Sequence, residues 1–427
     1  MYRKISAGLT LALLAGGIAI LPFATATASD GYLVLHSSCK KAGCPDGTDS
    51  AGGVILASDG SLFGAGEAGT KGQGVLFRLT ADAQGRDTVY ARLHNFCGAT
   101  CKEGGHPDFP LIRDGNGNLY GTTAQGGTGG GGAIFEASPE GKVTVLHAFC
   151  SGDCKTGFAP SSGVTYAGAA FGQPYDGVSP LYGTTSQGGS LNGGTVYVFT
   201  RQAGKAHVKA LYNFCASLPC DDGAAPLGGL TVDSAGNIFG IANLGGAHDE
   251  GAVFELSPAG AKYEYRVIYS FCSQQGCTDG IRPGAGLALD SASNLYGTTF
   301  RSGEHDEGTV FELSPSGGGY SFQALYQFVG AADGGAPEAP LTIDAAGNLF
   351  GTATQGGGMF GAGVVFELSP GDNGWTQSVL YSFCAKAGCA DGSIPFSPLT
   401  MDANGDLFGS TAAGGANNAG VVFEIAQ

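Results

Sequence analysis

Two pentapeptides concentrate side chains with usable chemistry: Ala247-His248-Asp249-Glu250-Gly251 and Glu304-His305-Asp306-Glu307-Gly308. Together they hold two of the seven histidines and five carboxylates. Oxygen-rich loops of this kind suit Ca²⁺, with Asp249, Glu250, Asp306 and Glu307 as ligands; a histidine between carboxylates can instead bind a transition metal or act as a general base. Arg282, Arg301 and Asp279 stand nearby on the predicted face, and the two arginines could meet an acidic sugar. The plainer reading of both segments is a solvated charged turn, since Asp and Glu are normally exposed. No Gly-x-Ser-x-Gly elbow and no His-Glu-x-x-His occurs, so no catalytic residue is assigned.

The elements that must position these loops are repeats. An apolar-aromatic-glycine step recurs at Leu62-Phe63-Gly64, Leu119-Tyr120-Gly121, Leu181-Tyr182-Gly183, Ile238-Phe239-Gly240, Leu295-Tyr296-Gly297, Leu349-Phe350-Gly351 and Leu407-Phe408-Gly409, at spacings of 57, 62, 57, 57, 54 and 58 residues. That period exceeds a solenoid repeat and fits a four-stranded propeller blade with generous loops. In the fifth copy the strand signals are Gly286 to Asp290, Asn294 to Thr299, Gly308 to Leu313 and Tyr320 to Phe328, short alternating runs parted by Gly, Asp, Ser and Pro. The expected fold is all-β: a seven-bladed β-propeller over residues 29–427. Tyr32 to Ser38 matches a fourth strand and Val421 to Ile425 a third, so the N-terminal segment is expected to supply the outer strand of the last blade and close the ring.

Composition agrees. There are 78 glycines in 427 residues and only 13% charged residues, which excludes a helical enzyme or a coiled coil. A net charge of −16 repels phosphate backbones, so no nucleic-acid partner is expected. Residues 1–28 read as a signal peptide: Arg3 and Lys4, an apolar stretch from Leu9 to Leu21, then Ala24-Thr25-Ala26 or Ala26-Thr27-Ala28 as cleavage site. No later run is long and apolar enough to span a bilayer. A periplasmic or secreted bacterial monomer is expected.

The twelve cysteines form six local pairs, each after a fourth strand: Cys39/Cys44, Cys97/Cys101, Cys150/Cys154, Cys215/Cys220, Cys272/Cys277 and Cys384/Cys389. An even count in an exported chain with constant local spacing reads as six disulfides. Metal or haem ligation fits poorly, because no Cys-x-x-Cys-His occurs and no histidine accompanies the pairs regularly.

The linked units Asn-Leu-Tyr-Gly-Thr-Thr, Gly-Thr-Val-Phe-Glu-Leu-Ser-Pro and Val-Leu-Tyr-Ser-Phe, at 294–299, 308–315 and 379–383, resemble the GloVer tandem-repeat proteins of bacteria. The resemblance covers nearly the whole chain after residue 28. It implies an exported repeat protein with no activity generally assigned; anchored members carry a sorting tail, which is not seen at Phe423 to Gln427.

The loops between the second and third strands should share a rim with the cysteine loops, making that rim the candidate functional face. The repeated Asp-Gly pairs at Asp222, Asp279, Asp333 and Asp391, and the aspartates Asp233, Asp290, Asp344 and Asp402, read instead as turn builders. Two function classes result. The preferred one is a non-catalytic module binding a glycan, peptide or surface protein; the other is an extracytoplasmic carbohydrate-active enzyme, a polysaccharide lyase or glycoside hydrolase, using His248, His305 and their carboxylates with Arg282 or Arg301.

Overall fold

Each aromatic-glycine step lies in the second strand of a four-stranded antiparallel sheet, and its glycine sits directly opposite an aromatic residue on the third strand. The pairs are Gly64 with Phe77, Gly121 with Phe135, Gly183 with Tyr197, Gly240 with Phe254, Gly297 with Phe311, Gly351 with Phe366 and Gly409 with Phe423. The ring folds over the bare glycine. A Cβ at Gly297 would stand 2.6 Å from Cζ of Phe311, and the other copies are as tight. The motif is thus a packing device that lets a large ring lie flat on the sheet.

The computed structural model of the chain describes residues 31–427 apart from 42–43, 49–51, 83–87, 97–101, 151, 153, 203 and 285. It is a seven-bladed β-propeller. Blade 1 starts at Val54–Leu56, blade 2 at Ile112–Arg113, blade 3 at Phe158–Pro160, blade 4 at Ala224–Val232, blade 5 at Ile281–Pro283, blade 6 at Thr342–Ile343 and blade 7 at Thr400–Met401. Six sheets run in chain order from the axis outward; the seventh combines three C-terminal strands with Tyr32–Ser37 as its outer strand.

A shared irregularity shows that Tyr32–Ser37 is a true fourth strand. In every blade the register between third and fourth strands slips at one place, and the skipped residue is Leu93, Leu146, Leu211, Ile268, Leu325, Leu380 or, in the closing strand, Leu35. The bulge adds local twist. Beyond it, Tyr32 pairs with Ile425 and Ser37 with Val421.

The core lies between blades rather than within them. Each seam encloses one buried cluster; that between blades 7 and 1 joins Leu35, Phe408 and Val422 to Val54, Leu62 and Phe77. Seam 6/7 buries Tyr32 with Phe383 and Phe423.

Outside blade 4, the innermost strands are only two or three residues long, shorter than the sequence pattern suggests. In blade 5 the run from Gly286 to Asp290 contracts to Ala288–Leu289, and Ile281–Pro283 pairs separately with the second strand. Proline lacks the ladder N–H, and the glycines around it let the chain bend where blades crowd the axis. The turn aspartates behave as expected: Oδ1 of Asp290 accepts the amides of Ala292 (2.9 Å) and Asn294 (2.8 Å), and Oδ2 accepts the Asn294 side chain (2.8 Å).

Candidate functional site

The loops between second and third strands do share a rim with the cysteine loops. Gly303 N donates to the Cys277 carbonyl (3.2 Å), and Gly246 N to that of Cys220 (3.1 Å). Five disulfides lie among the described residues: Cys39–Cys44, Cys150–Cys154, Cys215–Cys220, Cys272–Cys277 and Cys384–Cys389. Cys97 and Cys101 fall outside them, as do residues 1–28. The Asp-Gly aspartates staple these loops: the buried Asp279 carboxylate accepts Tyr269 Oη (2.6 Å) and Ser273 N (2.9 Å).

The two charged loops use part of their acidity on themselves. Asp249 and Asp306 have φ of +59° and +62°, and their Oδ1 atoms accept the amides of Gly245 (3.2 Å) and Ser302 (3.1 Å). Asn192 and Asn418 do the same in blades 3 and 7, through Gly188 N (2.8 Å) and Gly414 N (3.0 Å). The aspartates are therefore charged versions of a turn that Asn also builds, with left-handed backbone that both tolerate. His248, Glu304 and His305 are exposed; Glu250 and Glu307 are half-buried. Among the described residues, Asp249, Glu250, Asp306 and Glu307 do not join in any group of three His, Cys, Asp or Glu with ligand atoms mutually within 4.8 Å.

What these loops do is lean on the next blade. The Glu250 carbonyl accepts Arg282 N (3.0 Å), and the Glu307 carbonyl accepts Ala336 N (2.8 Å). Gln73, Gly131, Gly193 and Ala362 hold His106, Ala159, Ala225 and Ile394 identically. Each held residue has positive φ and precedes a proline, and the residues after these prolines, from six blades, line one common space at the centre of the ring.

There the blades enclose a cavity of about 400 Å³, lined in part by Glu67, Asp108, Phe109, Leu227, Glu338 and Phe396. A contiguous space of about 360 Å³ adds Asn243, Arg282 and Phe300. These volumes are in the range of small-molecule sites. Arg282 lines this space; Arg301 does not, although its guanidinium lies 5.0 Å from the Phe300 ring centre.

Apart from Arg282, the sequence reasoning passed over this lining, although its positions are repeats that diverge. The residue after the Gly-x-x-Pro proline is Asp108, Ser161, Leu227, Gly284, Glu338 or Phe396; the residue following the second strand's Thr-Thr or its counterpart is Glu67, Ala124, Ser186, Asn243, Phe300, Thr354 or Ala412. Comparing blades column by column at those positions would have revealed it. At seam 1/2 the columns bring Glu67, His106 and Asp108 together: His106 Nδ1 stands 4.0 Å from Glu67 Oε1 and 3.8 Å from Asp108 Oδ2.

No curated protein sequence matches the chain. Among solved structures, streptogramin B lyase aligns at 12% identity over 93% of this chain and 98% of its own, with a TM-score of 0.52. PorZ, a bacterial surface component of the type-IX secretion system of Porphyromonas gingivalis, aligns at 15% identity over 90% of this chain but 47% of its own, with a TM-score of 0.51. At these identities the likeness is one of fold. The sequence itself is more specific: the Gloeobacter/Verrucomicrobia repeat profile matches residues 22–179 and 270–427, more than half of the chain, and the protein belongs to that repeat family.

Proposed function

We propose that the protein is an exported, non-catalytic binding module that takes a glycan at the axial mouth of the ring. The observation that carries this reading is the divergence of the axial positions. Blades that repeat one another in core, turns and disulfide loops carry Glu67, Asp108, Asn243, Arg282, Phe300, Glu338 and Phe396 only where they face the cavity. Structural demands alone would keep these columns alike. Half-buried phenylalanines beside carboxylates, an amide and a guanidinium offer a sugar both a stacking face and hydrogen-bond partners. The charged loops 247–251 and 304–308, with Arg301, form the polar rim outside this mouth. Export is supported by the signal-like segment 1–28 and by the disulfides. No helix among the described residues is long and apolar enough to cross a membrane.

The test is a glycan array probed with wild-type protein and the Phe300→Ala/Phe396→Ala variant, read beside a reducing-sugar assay on each bound glycan. Binding weakened at least tenfold in the variant, with no sugar released, is the expected result. Release of reducing ends by the wild type would replace the binding module with the carbohydrate-active enzyme. Undiminished binding in the variant would move the ligand off the axis, and binding to peptides alone would remove the glycan.

A further inference from the structure

The group at seam 1/2 is built differently from every other described seam. We infer that Glu67, His106 and Asp108 form a site for one divalent transition cation, of the Zn²⁺ or Mn²⁺ class, on the wall of the axial cavity. One imidazole with two carboxylates is a donor set that such cations accept. The three ligand atoms lie within 4.8 Å of one another, and His106 Nδ1 is 3.8 Å from Asp108 Oδ2 and 4.0 Å from Glu67 Oε1. Tetrahedral coordination at ~2.0–2.1 Å requires ligand atoms about 3.3 Å apart, so side-chain rotations that bring the atoms closer by at most about 1.5 Å would close the set around an ion.

The backbone holds these residues before any ion arrives. His106 N donates to the Gln73 carbonyl (2.8 Å), its own carbonyl accepts Ala124 N (3.0 Å), and Pro107 fixes the step to Asp108. On the other side, Thr48 N donates to the Glu67 carbonyl (2.8 Å). Two separate chain segments, one after Leu62–Gly66 and one before Ile112–Arg113, thus hold the ligands by their backbones, as a preorganised site requires.

The repeat supplies a second, independent observation. The three columns that meet at this seam carry Ala124, Ala159 and Ser161 at the next one, Ser186, Ala225 and Leu227 at the third, Asn243, Arg282 and Gly284 at the fourth, and Thr354, Ile394 and Phe396 at the sixth. Even the fifth, Phe300, Ala336 and Glu338, offers a single ligand. All three columns switch to metal-binding types together at this seam, and among the described seams no other carries three such residues. Three protein ligands leave a tetrahedral ion one open position, and the chain's net charge of −16 favours cation accumulation. The inference does not depend on what fills the cavity.

Calorimetry on chelator-treated, disulfide-intact protein tests it, with ZnCl₂, MnCl₂ and CaCl₂ as separate titrants and no glycan present. Zn²⁺ or Mn²⁺ should bind at one site per chain and raise the melting temperature. His106→Asn should lose that binding at least tenfold; Asn tolerates the positive φ of residue 106, so the loop is kept while the imidazole goes. Glu67→Gln should weaken it, and Asp249→Asn/Asp306→Asn should leave it intact. Equal binding by wild type and His106→Asn, or no binding of either transition cation at millimolar concentration, overturns the site. Loss of binding in Asp249→Asn/Asp306→Asn but not in His106→Asn would also overturn it, moving the cation to the rim loops.

Discussion

Replacing Tyr32 with Ala tests how the ring is closed. The Tyr32 ring is 2% exposed and stacks on Tyr381 at 3.7 Å and 8°, with Phe423 at 5.7 Å and Phe383 edge-on at 6.0 Å. Its hydroxyl donates to the Asp391 carbonyl. Tyr265 is a nearly matched control on blade 4: its ring stacks on Tyr212 at 3.7 Å and 6°, and its hydroxyl donates to the Asp222 carbonyl. Truncating a buried aromatic costs ~3–5 kcal/mol, and losing the hydroxyl bond costs ~1 kcal/mol more. With an unfolding entropy of ~2.1 cal/mol/K per residue over roughly 400 residues, either substitution should lower the melting temperature by about 5 °C.

The two variants should part in local opening. The strand Lys262–Ser270 is tied to its partner by a tight hairpin, Ala259 pairing with Lys262, so it cannot leave when Tyr265 is truncated. Tyr32–Ser37 is joined to Val421–Ile425 only through the fold. Hydrogen exchange should therefore accelerate on the order of a hundredfold or more across 32–37 and 421–425 in Tyr32→Ala, and stay near wild type there in Tyr265→Ala. Equal exchange at 421–425 in the two variants would refute closure by this strand.

Two further substitutions probe the interior. Gly297→Ala places a Cβ against Phe311 and should cost ~1–3 kcal/mol by urea denaturation, whereas Gly115→Ala, with nothing within 4 Å, should be nearly neutral; equal costs would remove the ring-over-glycine account. Glu424, 6% exposed, has its carboxyl pushed up from 4.5 to about 7 by burial, then by Asp406 and Asp402. Its folded pKa exceeds its unfolded one, so the folded state holds the extra proton: the penalty is absent below about pH 4.5 and complete above about pH 7. Glu424→Gln should stabilise the protein by ~1–2 kcal/mol at pH 8, after discounting for solvent screening, and the gain should vanish by pH 4.5; a gain independent of pH would show that Glu424 does not titrate as stated.

The architecture was legible because it is repeated. A recurring aromatic-glycine step, four strand signals per period and a complementary pair of chain ends all say the same thing, and consistency across levels is what makes a sequence readable. The rim loops were legible in place and less so in role. His248 and His305 drew attention as charged departures, yet Asp249 and Asp306 do locally what Asn192 and Asn418 do. The axial lining escaped because each of its residues looks ordinary in its own blade. Glu67 and Asp108 are 41 positions apart, and nothing short of the ring's curvature says that they share a wall. Arg282 is a candidate on residue type alone, but its reach to the cavity depends on a left-handed backbone before Pro283 that residue type does not announce.

The closing strand also sets an order of events on the ribosome. Tyr32–Ser37 emerges ahead of blade 1, and its partner Val421–Ile425 follows blade 6, so the segment made early must stay unpaired while six sheets form. Because loop-closure entropy grows only with the logarithm of length, the long delay adds little to the equilibrium cost of docking. Its weight is kinetic. Until Val421–Ile425 is made the chain carries one loose strand with no partner, and the final residues supply that partner and close the ring in a single step. A stall in synthesis before Val421 would leave almost every blade complete and the molecule still open, a species that a quality-control protease could distinguish from the finished ring by its free N-terminal segment.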